Sequence, residues 1–196
     1  MSPVSIMSRL AFALGLSITM PCIASAAERA ALSPEQRATA LMAQMRRDEK
    51  VAQAMNDAPA IPRLGIPAYE WWSEGLHGIA RNGYATVFPQ AIGLAASWDT
   101  RLMKQVGTVT STEARAKFNQ AGGPGKDHKR YAGLTIWSPN INIFRDPRWG
   151  RGMETYGEDP FLTGQLAVGF IRGLQGEDLD HPRTITHLAS LDVMPT

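Results

Sequence analysis

The feature that most constrains this chain is the order of three segments between Gly133 and Pro160. Gly133-Leu-Thr-Ile-Trp137 is short, apolar and rich in β-formers, and Ser138-Pro139-Asn140 follows it at once with turn chemistry. A polar stretch comes next, in which Arg145, Arg148 and Arg151 stand beside Asp146, Glu154 and Glu158, with Phe144, Trp149 and Tyr156 interleaved. Asp159-Pro160 then reads as the N-cap and first-turn proline of a new helix. A buried strand, a polar loop and a helix start in that order describe a binding loop on an α/β scaffold. The same residue types also suit a surface loop tied down by arginine–carboxylate pairs.

The rest of the chain repeats the alternation. Ser33-Pro-Glu-Gln36 is a capping box ahead of Leu41, Met42 and Met45, and Asp48 is placed to cap a short helix presenting Val51, Ala52 and Met55. Ala68-Tyr-Glu-Trp-Trp72 reads as a strand, and Gly75 to Tyr84 as loop. Ala91-Ile-Gly-Leu-Ala-Ala96 reads as a second strand of the fully buried kind. Asp99 caps a long helix carrying Leu102, Val106, Val109 and Phe118, and Gly122 to Arg130 is a charged loop. Phe161 to Leu174 is helical, with Leu162, Leu166, Phe170 and Leu174 on one face and Gly173 and Gly176 ending it. Strand–helix alternation implies βα units, a parallel sheet and ligands at the C-terminal strand ends.

Three motifs give the pattern a family. Arg145-Asp-Pro-Arg-Trp-Gly-Arg-Gly-Met-Glu-Thr-Tyr-Gly-Glu-Asp-Pro160 resembles the signature of the N-terminal barrel domain of glycoside hydrolase family 3, the retaining β-glucosidases, β-xylosidases and relatives. Tyr69-Glu-Trp-Trp-Ser-Glu-Gly-Leu-His-Gly78 and Phe88-Pro-Gln-Ala-Ile-Gly-Leu-Ala-Ala-Ser97 match two further family motifs in the family's order. The resemblance covers roughly residues 48–176. It implies a TIM (β/α)8-type barrel of which residues 27–196 are an incomplete, N-terminal portion, since a whole barrel takes about 250 residues.

The resemblance also assigns roles. Glu74 stands where the family has an acidic residue gripping sugar hydroxyls, and Arg151 where it has an arginine of the same subsite. Hydrogen bonds to charged groups are about twice as strong as neutral ones, which suits carboxylates and guanidinium groups to that task. His187 matches the histidine of a strand ending in Lys-His, but Thr186 stands where lysine is expected. Glu154 is expected to pair with an arginine, Arg145, Asp146 and Arg148 to shape the loop, and His77 to bond loop backbone. Trp71 and Trp72 are either a platform for a sugar ring or core packing.

A retaining glycosidase needs a nucleophile and an acid/base about 5–5.5 Å apart. In the family both lie beyond the matching region, and Asp192 in the divergent tail has no counterpart. No catalytic residue is therefore assigned here. The expectation is a truncated or frameshifted fragment that is inactive by itself and contributes sugar-binding residues toward a β-linked glucoside or xyloside, with a C-terminal half missing. A non-catalytic sugar-binding protein and a remnant without function are the rival readings.

Charge and address complete the reading. A net charge of +2 with acids and bases alternating offers no basic face to nucleic acid. His77, His128, His181 and His187 lack metal-ligand spacing, so neither a metal nor another cofactor is expected. Arg9, the apolar run Leu10–Ile18 and Ala24-Ser25-Ala26 read as a signal peptide over residues 1–26, too short in its apolar part to anchor in a membrane. The expected location is the periplasm or outside the cell.

Overall fold

The computed structural model describes residues 32–124, 129–178 and 180–186. The expected signal peptide, His128, His187 and Asp192 lie outside the described residues. Helix α1 (Pro34–Gln44) opens with the expected capping box, Gln36 N donating to Ser33 Oγ at 3.3 Å and Ser33 N to Gln36 Oε1 at 2.9 Å. None of its residues is buried, so the Leu41 and Met42 stripe forms no core.

Helix α2 (Arg47–Ala52) corrects one expectation. Its N-cap is Arg46, whose backbone N donates to Glu49 Oε2 at 2.8 Å, and Asp48 sits inside the first turn. There a negative charge still meets the positive end of the helix dipole. Val51 and Met55 remain exposed.

Strand β1 (Asp57–Ala58) pairs antiparallel with β2 (Tyr69–Glu70), Asp57 opposite Glu70 and Ala58 opposite Tyr69. This moves the first parallel strand of the expected sheet. The hairpin satisfies the backbone of Tyr69 and Glu70, and parallel pairing begins only at Ser73, which bridges Ile136. Strand β3 (Thr135–Ile136) then pairs parallel with β4 (Ile185–Thr186), Thr135 opposite Ile185. Ser73, β3 and β4 thus stand side by side, as successive βα units require.

A second correction concerns Ala91–Ala96. Ala91–Ala95 is helix α3, burying Ala91, Leu94 and Ala95 at helical spacing. Alanine and leucine are strong helix formers, and a six-residue apolar run carries no period of its own. Asp99 caps helix α4 (Thr100–Gln120) as expected, accepting from Arg101 N and Leu102 N, and Asp159 caps α5 (Pro160–Gln175), accepting from Leu162 N. Val109 is exposed, and the buried face of α4 runs instead through Met103, Val106, Thr110, Ser111, Ala114 and Phe118.

The two long helices cross on glycines. A Cβ at Gly173 would lie 2.2 Å from Lys104 O, and one at Gly107 would lie 2.3 Å from Phe170 O. Gly173 therefore lies inside α5, against the expectation that it ends the helix, and Gly176 at φ 89° ends it. Ser111 Oγ donates across the crossing to Gly173 O at 3.1 Å. Met103, Val106, Leu166, Phe170 and Leu174 join Ile136 of β3 in one core, so the helices cover one face of the parallel strands.

Candidate functional site

The polar residues of interest sit just past the ends of the parallel strands. Ser73 O accepts from Trp137 N at 2.8 Å, which fixes the strand carrying Glu74 beside β3. That register stacks the indoles: Trp137 lies 4.7 Å from Trp72 and 5.4 Å from Trp71 between ring centroids, with interplanar angles of 13° and 12°. All three tryptophans are half-buried as residues, with Trp137 Nε1 turned inward. Arg130 lies 5.6 Å over Trp72, and Trp71 Nε1 donates to Met55 O at 2.6 Å.

Glu74 follows directly. Its side chain is 32% exposed, and Oε2 accepts from Arg81 Nε at 2.9 Å. Among the described residues, Oε1 accepts no hydrogen bond. The turn between the two is tight, with Ala80 N donating to Glu74 O at 3.1 Å. Gly78 belongs to it of necessity: φ is 114°, and a Cβ would lie 2.1 Å from Thr86 O. His77 Nδ1 meets Phe88 O at 2.8 Å, the loop-backbone role expected of it.

The loop after β3 begins with a cis Ser138–Pro139 bond and turns on Asn140, whose Oδ1 accepts from Asn142 N at 3.0 Å. Arg151 precedes a short 3-10 helix, Gly152–Glu154, and its guanidinium grips Glu154 with two bonds, Nε to Oε1 at 2.9 Å and Nη2 to Oε2 at 2.6 Å. Buried Asn140 donates to the same Oε2 at 3.3 Å. The pairing expected of Glu154 is present, and it engages the arginine expected to hold sugar. Arg148 chelates Asp146 and holds that carboxyl below its usual range, as loop-shaping residues would. Tyr156 is buried in the core, and desolvation pushes its hydroxyl pKa well up, so it stays neutral.

Glu74 and Arg151 thus stand on separate loops, each pinned by its own partner. At the end of β4 the Thr186 hydroxyl is buried and makes no hydrogen bond among the described residues. Arg81 and Asn140 were not singled out by the sequence: a seven-residue reach across a loop leaves no periodic trace. Among the described residues no group of three His, Cys, Asp or Glu side chains could hold a metal ion, and no helix is long and apolar enough to cross a membrane.

The glycosyl hydrolase family 3 N-terminal domain matches residues 36–195. The chain is 48% identical over 149 residues to a xylan 1,4-β-xylosidase of Xylanibacter ruminicola, covering 75% of this chain and 17% of that protein. It is also 48% identical over 162 residues to a probable β-D-xylosidase 7 of Arabidopsis thaliana, covering 78% and 20%. In structure it is similar to a GH3 exo-β-xylosidase in complex with a xylobiose aziridine activity-based probe, with TM-score 0.68, 40% identity and 80% of this chain against 20% of that one. A β-glucosidase from Erythrobacter marinus matches with TM-score 0.59 and 28% identity over 83% of this chain and 26% of that one. The chain spans about a fifth of the length of the relatives it matches.

Proposed function

The chain belongs to glycosyl hydrolase family 3, and on that premise we propose that it supplies sugar-holding groups of an exported β-glycosidase acting on β-xylosides ahead of β-glucosides. The observation that carries the reading is the Glu74 carboxylate at a parallel strand end, next in sequence to stacked, partly exposed tryptophans. A carboxylate oxygen with no partner among the described residues accepts sugar hydroxyls, and indole faces suit the C–H faces of a pyranose ring. The preference for xylosides rests on the relatives, whose names are xylosidases at the highest identities given above.

The reaction we assign to the whole enzyme is retaining hydrolysis, through a glycosyl-enzyme intermediate formed on a carboxylate nucleophile. In this reading Glu74 and Arg151 hold substrate and perform neither step. Binding groups that act equally on ground and transition states lower no barrier, so residues 27–196 bind sugar without hydrolysing it. The reading includes export to the periplasm or the medium after removal of residues 1–26.

The test is titration of the purified chain with xylobiose and with cellobiose, followed by tryptophan fluorescence, beside an assay of aglycone release from an aryl β-xyloside. The expected result is saturable xylobiose binding that weakens ten- to a hundred-fold in Glu74→Ala, as loss of a charge-assisted bond of about 1.5–3 kcal/mol requires, with no aglycone released. Turnover by the chain alone would overturn the division of labour. No response to either disaccharide would overturn the sugar site.

A further inference from the structure

We propose that Arg81 is the positioning residue of this site, aiming the Glu74 carboxylate at the sugar; the inference rests on the sugar-site reading above. Arg81 holds Oε2 through Nε at 2.9 Å, and Oε1 accepts no hydrogen bond among the described residues. One oxygen is therefore fixed and the other presented. A glutamate side chain free to rotate would have to be ordered by each incoming sugar, and prior ordering removes that cost from binding.

The arginine is itself held in place. Its backbone is left-handed, φ 61°, a conformation few non-glycine residues adopt without support from their surroundings. That support comes from α4. Lys117 Nζ donates to Asn82 O at 2.8 Å and to Tyr84 O at 2.5 Å. Glu113 accepts from Thr86 N at 3.0 Å and from Thr86 Oγ1 at 2.6 Å. The Arg81 guanidinium lies 5.6 Å from the ring of Tyr131, whose backbone N bonds Trp72 O at 2.8 Å. A chain of contacts thus runs from α4 through the loop to Arg81 and ends on the carboxylate.

A merely structural role reads differently. The Arg81 side chain is 64% exposed, and an exposed ion pair adds little to stability. Its removal should leave the melt unchanged and change sugar binding. Lysine keeps the charge without the planar fork, so it should restore orientation only in part.

The experiment uses the full chain with xylobiose as probe. Arg81→Met is expected to weaken xylobiose about ten-fold, Arg81→Lys by less, both with the wild-type melting curve. In a Glu74→Gln background, where the ion pair is gone, Arg81→Met should cause no further loss. Wild-type affinity in Arg81→Met alongside weakened binding in Glu74→Gln overturns the positioning role and leaves the sugar site standing. Additive losses in the double variant also overturn it. Absence of xylobiose binding by the wild type, or wild-type binding in Glu74→Gln, overturns the sugar site and this role with it. Should Arg81→Met melt early, Arg81→Lys, which keeps stem and charge, carries the same comparison.

Discussion

Arg151 and Glu154 show how two residues of one motif divide a task. The Glu154 side chain is 18% exposed and takes three hydrogen bonds, two from Arg151 and one from Asn140. Arg151→Ala should therefore do more than remove a sugar contact, because it leaves a largely buried carboxylate with one neutral donor. Its expected cost is roughly 1–2 kcal/mol of stability after allowance for the exposed arginine, together with weaker xylobiose binding. Glu154→Gln keeps most of the geometry and should cost less. Thermal unfolding followed by circular dichroism, run beside the xylobiose titration, checks both. Arg148→Ala is the milder case: the arginine is largely exposed, and the Asp146 carboxylate keeps the bond it accepts from the backbone N of residue 148, so a smaller loss of stability and no change in binding are expected. Sequence made Glu74 and Arg151 visible because each sits in a long ungapped motif. It left Arg81 unmarked because its relation to Glu74 depends on a left-handed turn and on clamps from a helix about thirty residues further on.

Helix caps and helix crossings answer to different rules. Asp159 accepts from Leu162 N at 2.6 Å, and Asp159→Ala should cost about 1 kcal/mol, read as a lower unfolding midpoint. Gly173→Ala should cost more, on the order of 1–3 kcal/mol, because the added methyl meets Lys104 backbone at 2.2 Å rather than a side chain that can move aside. The same change at Gly164, where a Cβ would meet nothing within 4 Å, should be neutral or stabilising, and comparing the two melts isolates the crossing. The caps at Asp99 and Asp159 were legible, each an acid directly ahead of a long helical period, whereas Asp48 stands in a six-residue helix too short to fix where its cap falls. Helix α3 was not, because Ala91-Ile-Gly-Leu-Ala95 is too short to reveal its period. Nor was the β1–β2 hairpin: Tyr69 and Glu70 look like a strand, and only tertiary structure decides which neighbour they pair with.

Across the molecule, the acids whose titration is perturbed mostly move one way. Asp99 is held below its usual range by the backbone N–H groups of Leu102 and Arg101, Asp178 by those of His181 and Asp180 and by the His181 ring, and Glu177 by Lys104. A carboxyl whose folded pKa is depressed adds stability that is complete above the unfolded value and is lost as pH falls through the folded one. The chain should thus hold its unfolding midpoint above the ordinary glutamate value of 4.5 and lose it progressively as pH falls through that value and the ordinary aspartate value of 3.8. Urea titrations at stepped pH check the sign, and Asp99→Asn should flatten the acid limb. The α/β class was legible from strand–helix alternation, whereas the position of the first parallel pairing was not, since Ser73 carries no strand signature.

The glycine crossing has a kinetic consequence. Among the described residues the parallel strands have no local pairing: Ser73 Oγ reaches Gly133 O across 60 residues, and Thr135 waits for Ile185. Helices of 21 and 16 residues, by contrast, can form from neighbouring contacts alone. Docking α4 on α5 therefore brings distant strand segments within reach before any of them has a partner, and the crossing becomes the step that sets the refolding rate. In stopped-flow refolding monitored by tryptophan fluorescence, Gly173→Ala should slow folding by nearly the whole of its equilibrium effect and leave unfolding almost untouched, which is the behaviour of a residue already in place at the barrier.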